Sequence, residues 1–353
     1  MARAPTLSDP RFEPGRRRWA LDRWALRYIK DERDLPFVHL IAQISLVLLP
    51  FAVALYVPGV FRWWLGALYL VVNFVFFFDR FILMLHNTSH RSLFRKRHRR
   101  LNALIPWALG PLFGQTPDTY FAHHIGMHHP EENLEQDLSS TMSYRRDSFL
   151  QFLAYWARFF FAGLFELSMY HARRRRWKLF RMTVVGELAW WGAMALLLWV
   201  DWQATLIVLV IPFAAARFLM MAGNWAQHAF IDPAEPANKY KASIVCINTR
   251  YNRRCFNDGY HVGHHVKPNR HWTEMPEDFE RDIERYVEAD AVVFEGIDYF
   301  QIWWLLMWKR FDALARHFVD LRDEPRRHEE IVALLQERVR ALPARGVVPQ
   351  SSP

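Results

Sequence analysis

Tyr120 to Pro130 reads YFAHHIGMHHP and sets four histidines, His123, His124, His128 and His129, within seven residues. Any fold of this chain must give those rings an environment. If the stretch is helical, His124 and His128 stand i, i+4 and share a face, with His129 beside it and free to turn toward a second centre. Neutral imidazole is the commonest protein metal ligand, so such a helix is half of a metal site. A lone pair of histidines reads better as a basic, partly buried surface helix. Four do not, and three further stretches keep helical spacing: His86 and His90 in HNTSH, Asn224 and His228 in NWAQH, and His261, His264 and His265 in HVGHH. Together the stretches hold ten of the sixteen histidines. The repeated spacing predicts distant segments converging on a site for more than one metal.

Apolar runs say where that convergence can happen. The chain has 353 residues, is 52% hydrophobic and 16% aromatic, and gathers its apolar residues into runs. Runs at about 37–57, 63–85, 183–200 and 204–222 are long enough to cross a bilayer. Pro58–Gly59 and the DWQ turn join them in pairs, with Trp63, Trp64, Trp199 and Trp202 suited to an interfacial belt. The fold class expected is all-α, integral membrane, with four transmembrane helices in two hairpins and a cytoplasmic helical cap carrying the histidines. The net charge of +9 could suggest nucleic acid. Its arginines sit beside apolar runs, however, where the positive-inside rule and anionic lipid headgroups account for them, so no nucleic-acid partner is expected. Cys246 and Cys255 fit neither a disulfide framework nor a CxxC pair.

The remaining segments fill in the layout. Residues 1–36 read as a basic cytoplasmic arm with an amphipathic stretch, RRWALDRWALRYIK, on the membrane surface. Residues 101–114 are apolar but too short to span, and read as re-entrant or surface-lying. Residues 148–170 have the length of a span but carry Arg158 and Glu166. Crossing there would strand ARRRRWKLFR opposite the other basic loops, so the segment is expected to lie in the interface. Residues 37–275 form the membrane unit, 276–342 a cytoplasmic or interfacial helical region, and 343–353 a disordered tail. Among nearby acids Asp137 is the best candidate to orient a ligand imidazole, with Glu131 and Asp118 behind it.

The set HxxxH, HxxxHH, NxxxH and HxxHH resembles the membrane fatty acid desaturase and hydroxylase superfamily over about residues 37–275. The resemblance implies two iron ions, O2 as cosubstrate and a lipid or fatty-acyl substrate. Matched position by position, it implies the ligands His86, His90, His124, His128, His129, His228, His261, His264 and His265, with Asn224 reaching a metal through water. The spare His123 is an alternative to His124, which is preferred for its i, i+4 partner. Desaturation is the leading expectation. A hydroxylase, epoxidase or ketolase uses the same scaffold, and a histidine-rich metal transporter is the alternative of a different class. The chain has no haem motif and two cysteines, so electrons are expected from a separate ferredoxin, rubredoxin or cytochrome b5 with its reductase. The implied location is a membrane with termini and active site on the cytoplasmic side. An arginine excess over lysine hints at a bacterial inner membrane.

Two charges inside the runs complete the reading. Asp79 lies seven residues before His86, and Arg217 seven before Asn224. Near two helical turns, each shares the metal-facing side of its helix, about 10 Å deeper in the membrane. Buried charges are costly unless paired, which predicts an Asp79–Arg217 pair beneath the metals, with Glu187 as another mate for Arg217.

Overall fold

A computed structural model describes residues 5–14 and 19–342. The arginine run at 16–18 and the tail 343–353, expected to be disordered, lie outside the described residues.

Four helices are long and apolar enough to cross a membrane: α1 (Glu32–Leu55), α2 (Trp63–His90), and two more described below. The Asp31 side chain accepts from the Arg33 amide and starts the first of them early. Between α1 and α2 the chain reverses at Val57–Val60, where the Val60 amide donates to the Val57 carbonyl (3.0 Å). Pro58 sets the first corner, and Gly59, at φ +81°, takes the left-handed second corner. No breaker interrupts Phe78 to His90, so α2 runs through the whole of HNTSH and carries His86 and His90 on its last turns.

The segment 104–118 leaves and re-enters the bundle. Asn73 donates to the Leu112 carbonyl (2.8 Å). Gly114, at φ +68°, abuts the Pro212 and Phe213 backbone, and Gly186 abuts the Pro117 carbonyl, so closely that neither position admits a Cβ. The helical segment α3 (119–131) then delivers YFAHHIGMHHP. The 25-residue α4 (Phe149–Arg173) follows, with Leu150, Phe161 and Phe165 strongly exposed.

The remaining apolar helices are α5 (Trp177–Val200) and α6 (Trp202–Gln227). The start of α6 meets the turn between α1 and α2. Trp63 and Trp202 ring centroids are 6.1 Å apart, and the Tyr56 hydroxyl donates to Thr205 Oγ1 (3.0 Å). Both pairs of helices therefore turn at one end, and His90 and His228 lie at the other. Leu46, Val53, Trp64, Phe76, Leu188 and Trp199 stand exposed on the outer faces. Apolar exposure of this extent has no place in water and marks a lipid-facing surface.

The fold is all-α apart from one small element that periodicity did not reveal. β1 (Ile244–Ile247) pairs in parallel with β2 (Val292–Glu295), Ile244 opposite Val292 and Ile247 opposite Glu295. The crossover between them carries α7 (Arg250–Arg254) and α8 (His261–Val266), so HVGHH is mounted on a sheet rather than on a span. Helices α9 (Tyr299–Met307) and α10 (His328–Arg338) pack behind the sheet. Arg146, fully buried, ties this region to the site. Its five N–H groups reach six backbone carbonyls, those of Ala229, Arg338 and Arg340 and, shared by the two hydrogens of Nη1, those of Thr141, Met142 and Tyr144. The N-terminal arm also docks: Asp9 Oδ2 accepts from the Tyr260 hydroxyl (2.7 Å) and the Asn248 amide (2.8 Å). Among the described residues of the expected amphipathic stretch, Ala20–Ala25 is helical, with its Trp24 and the preceding Trp19 exposed.

Candidate metal centre

Nine histidines gather into two groups. His86, His90, His124, His129 and His264 form a pentad; His128, His228, His261 and His265 form a tetrad. Within each group the ligand atoms lie within 4.8 Å of one another. Each histidine stretch contributes by its local geometry. On α2, His86 and His90 stand i, i+4 and both join the pentad. On α8, His261 and His265 join the tetrad, and His264 turns to the pentad.

The central stretch departs from expectation. His124 and His128 do not share a centre; His124 and His129 do, at i, i+5. Residues 124–128 form a π turn, in which the His129 amide donates to the His124 carbonyl. Pro130 has no N–H to return to the Gly126 carbonyl, and Arg176 donates to that carbonyl instead (2.6 Å). The wider turn swings His129 over His124 and leaves His128 on the other side. His123 belongs to neither group. The residue is half-buried, its Nε2 is buried and unpartnered among the described residues, and desolvation pulls its pKa down to about 4.

The ring orientations test whether metal belongs here. His228 Nδ1 donates to the Ala242 carbonyl (2.9 Å), which leaves its Nε2 a lone pair aimed at His261 Nε2, 3.2 Å away. His86 Nδ1 faces Asp258 Oδ1 (3.2 Å), and its Nε2 meets His264 Nε2 at 2.8 Å. His90 to His124, His129 to His124, His129 to His264, and His265 to His261 approach through Nε2 at 3.0, 3.1, 2.9 and 3.0 Å. Neutral imidazole carries one N–H, so these contacts cannot all be hydrogen bonds, and lone pairs this close repel unless a cation lies between them. Two nitrogens bound about 2.1 Å from one ion at right angles sit about 3.0 Å apart. The donor set fits metal. Burial, then the neighbouring rings, push His124, His261, His264 and His265 well below the ordinary histidine range; His228 falls to about 3. The rings thus stand in the neutral form that binds a cation.

Carboxylates hold two rings from behind. His128 Nδ1 meets Asp137 Oδ2 at 2.7 Å, and Asp137 also accepts from the Asn133 amide and from Ser139. Burial alone would raise the Asp137 carboxyl, but His128 and Ser139 hold it well below the usual carboxylate range. Asp258, three residues before His261, does the same for His86 and is in turn bound by the Tyr251 hydroxyl (2.8 Å). The sequence reading missed Asp258, although an acid on the approach to HVGHH was a signal for it. Asn224 Nδ2 donates to the Tyr155 hydroxyl (2.7 Å) and the Ser139 carbonyl (3.0 Å); its Oδ1 takes no hydrogen bond from the described residues.

Both groups border one cavity of about 470 Å³, reached by His86 and His124 of the pentad and His128 and His261 of the tetrad. Its wall is largely apolar, with Phe78, Ile82, Leu83, Leu164, Leu219 and Met220. Asp79 and Arg217 both line it, but they do not pair. Asp79 forms an ion pair with Arg254 of α7. Arg217 faces Glu187 of α5 at 3.9 Å and donates to the Gly114 carbonyl (3.2 Å). Helical spacing gave the side each charge faces; the packing of α7 and of segment 104–118 supplied nearer partners.

Four helices long and apolar enough to cross a membrane, with nine clustered histidines beside a largely apolar cavity, define a membrane protein with a polyhistidine site of metal-binding type. The family model for fatty acid desaturases matches residues 61–297, more than half of the chain, and the chain belongs to that family. Comparison with curated proteins and with solved structures returns no significant match.

Proposed function

We propose that the pentad and the tetrad each hold one iron ion, and that the protein introduces a double bond into a fatty-acyl chain using O2 and electrons from a separate donor. The observation carrying this reading is the convergence of nine imidazole nitrogens into two tight groups that both border one largely apolar cavity. Imidazole alone suits several first-row metals, and the family points to iron. Two irons held there supply the O2 activation needed to attack an unactivated C–H bond.

The chain's own residues do the rest. His86, His90, His124, His129 and His264 bind one ion, and His128, His228, His261 and His265 the other. Asn224, whose Oδ1 takes no hydrogen bond from the described residues, would reach a metal through water. Asp137 and Asp258 fix the tautomer and aim of His128 and His86. The apolar wall excludes water and holds methylene groups against the metals. The end bearing the histidines, with the basic 95–100 run, is the cytoplasmic one, and both termini lie there. Helix α4 lies in the interface on that side. An acidic ferredoxin, rubredoxin or cytochrome b5 suits this basic face, and the Arg-rich composition suits a bacterial inner membrane.

The test pairs metal analysis of purified protein with gas chromatography of fatty acids from expressing cells. Two irons per chain and a new unsaturated acid are expected. A hydroxylated product would reassign the reaction to the hydroxylase branch, and an active iron-free preparation would overturn the centre.

A further inference from the structure

The cavity has a second pole. Away from the metals, inside the spans, its wall turns polar: Gln115 and Thr116 from the re-entrant segment, Thr119 at the start of α3, Glu187 of α5 and Arg217 of α6. A ligand made only of methylene groups gives these groups nothing, and burying them beside it is costly. Glu187 is spoken for. Its Oε1 accepts from Thr116 (2.6 Å) and Thr119 (3.0 Å), and its Oε2 from the Trp191 indole (3.1 Å). Arg217 is not. Its guanidinium lies over the Phe213 ring and makes one hydrogen bond among the described residues, to the Gly114 carbonyl. Glu187, at 3.9 Å, neutralises it without bonding to it. The remaining N–H donors of a residue that carries five are left to the cavity. The Gln115 side chain, on the same wall, makes one hydrogen bond among the described residues, a weak one from its Nε2 to Met220 Sδ (3.2 Å).

We infer that Arg217 and Gln115 form a subsite for an uncharged oxygen acceptor, a carbonyl or hydroxyl borne on the substrate's chain. The inference rests on the lipid-oxidising reading above and narrows its substrate to an oxygenated chain. Charge decides which oxygen. Arg217 and Glu187 already cancel, so a carboxylate would leave one uncompensated negative charge inside the apolar spans, whereas a neutral acceptor satisfies the guanidinium and leaves the balance intact. Place decides which part of the substrate. Arg217 is seven residues, about 10 Å of helix, from Asn224 at the metals. The oxygen bound there is therefore remote from the carbon that reacts and acts as a ruler for it. A site built to donate hydrogen bonds discriminates strongly against an analogue lacking the acceptor, because its own donors are then left unpaired.

The test is equilibrium binding to metal-loaded, detergent-purified protein without reductant, so that nothing turns over. Isothermal titration calorimetry is the readout, since it needs no reporter among the residues that the variant changes. The probes are octadecane, which has no acceptor, and a series of octadecanones with the carbonyl moved along the chain. At least one isomer should bind about tenfold or more tighter than the parent alkane, the worth of one charge-assisted hydrogen bond. The charge-balanced double variant Arg217→Leu/Glu187→Gln should lose that preference and keep its affinity for the parent. Binding of all isomers within twofold of the parent overturns the inference, as does a preference that survives in the double variant. If the double variant does not fold, the wild-type series decides alone. Failure of the protein to take up iron would count against the proposed centre and leave this preference to be measured on its own.

Discussion

The pentad and the tetrad are built differently from the same stretches. The pentad takes five rings, two of them, His90 and His129, partly exposed, and one carboxylate, Asp258, stands behind it. The tetrad takes four, all buried, and is backed by Asp137 and by the Ala242 carbonyl. Its His228 comes from the end of α6, in a region that Arg146 fastens to the loop after α3 and to the end of α10. One centre is held by ligand number, the other by enclosure and support. The difference teaches that equal-looking histidines are unequally replaceable.

The largest effect should follow removal of a tetrad ring. His265→Ala leaves three ligands; activity should fall to background and iron to about one per chain, against two in the wild type. His90→Ala leaves four in the pentad, so activity should fall while iron stays nearer two. Equal iron loss in both variants, by elemental analysis, would break the contrast.

The carboxylates sharpen it. Asp137→Asn should lower activity by about 10–100-fold, the usual cost of losing support behind a ligand. Asp258→Asn should cost less, since Asp258 meets His86 at 3.2 Å against 2.7 Å for Asp137 and His128. Steady-state rates and iron affinity check the order.

Acid should act on the metal-free fold. Unfolded histidine titrates near 6.5, whereas burial depresses the folded values, to about 3 for His228. A base with a depressed folded value leaves the unfolded chain binding more protons at low pH, so stability is flat above about pH 7 and falls as pH drops below about 6.5. Thermal midpoints of iron-free protein from pH 8 to pH 5 should show that bend. A midpoint that rises on acidification would contradict it.

The smallest effect is expected at the histidine outside both groups. His123→Gln should leave iron content at the wild-type value, and loss of one iron would return His123 to the ligand set.

Much of this was written in the sequence. Length and apolarity of four runs name the helices, because a chain in lipid must satisfy its backbone within each segment. Helical spacing picks out the nine histidines that gather into two groups, and a tenth, His123, that does not, because i, i+4 is a local distance that any helix enforces. What failed was information that helical spacing does not carry. The division of His124, His128 and His129 between centres depends on a π turn, set by Pro130 and by Arg176 arriving from fifty residues away. Asp79 and Arg217 face the cavity as their spacing foretold, yet each pairs elsewhere. A helix fixes which way a side chain points, and only the packing of other segments decides what it meets there. The parallel strands that mount HVGHH and the six carbonyls gathered by Arg146 belong to the same class. Such contacts join residues far apart in the chain, so no local pattern records them, and tertiary structure alone turned a list of ligands into two unlike centres around one cavity.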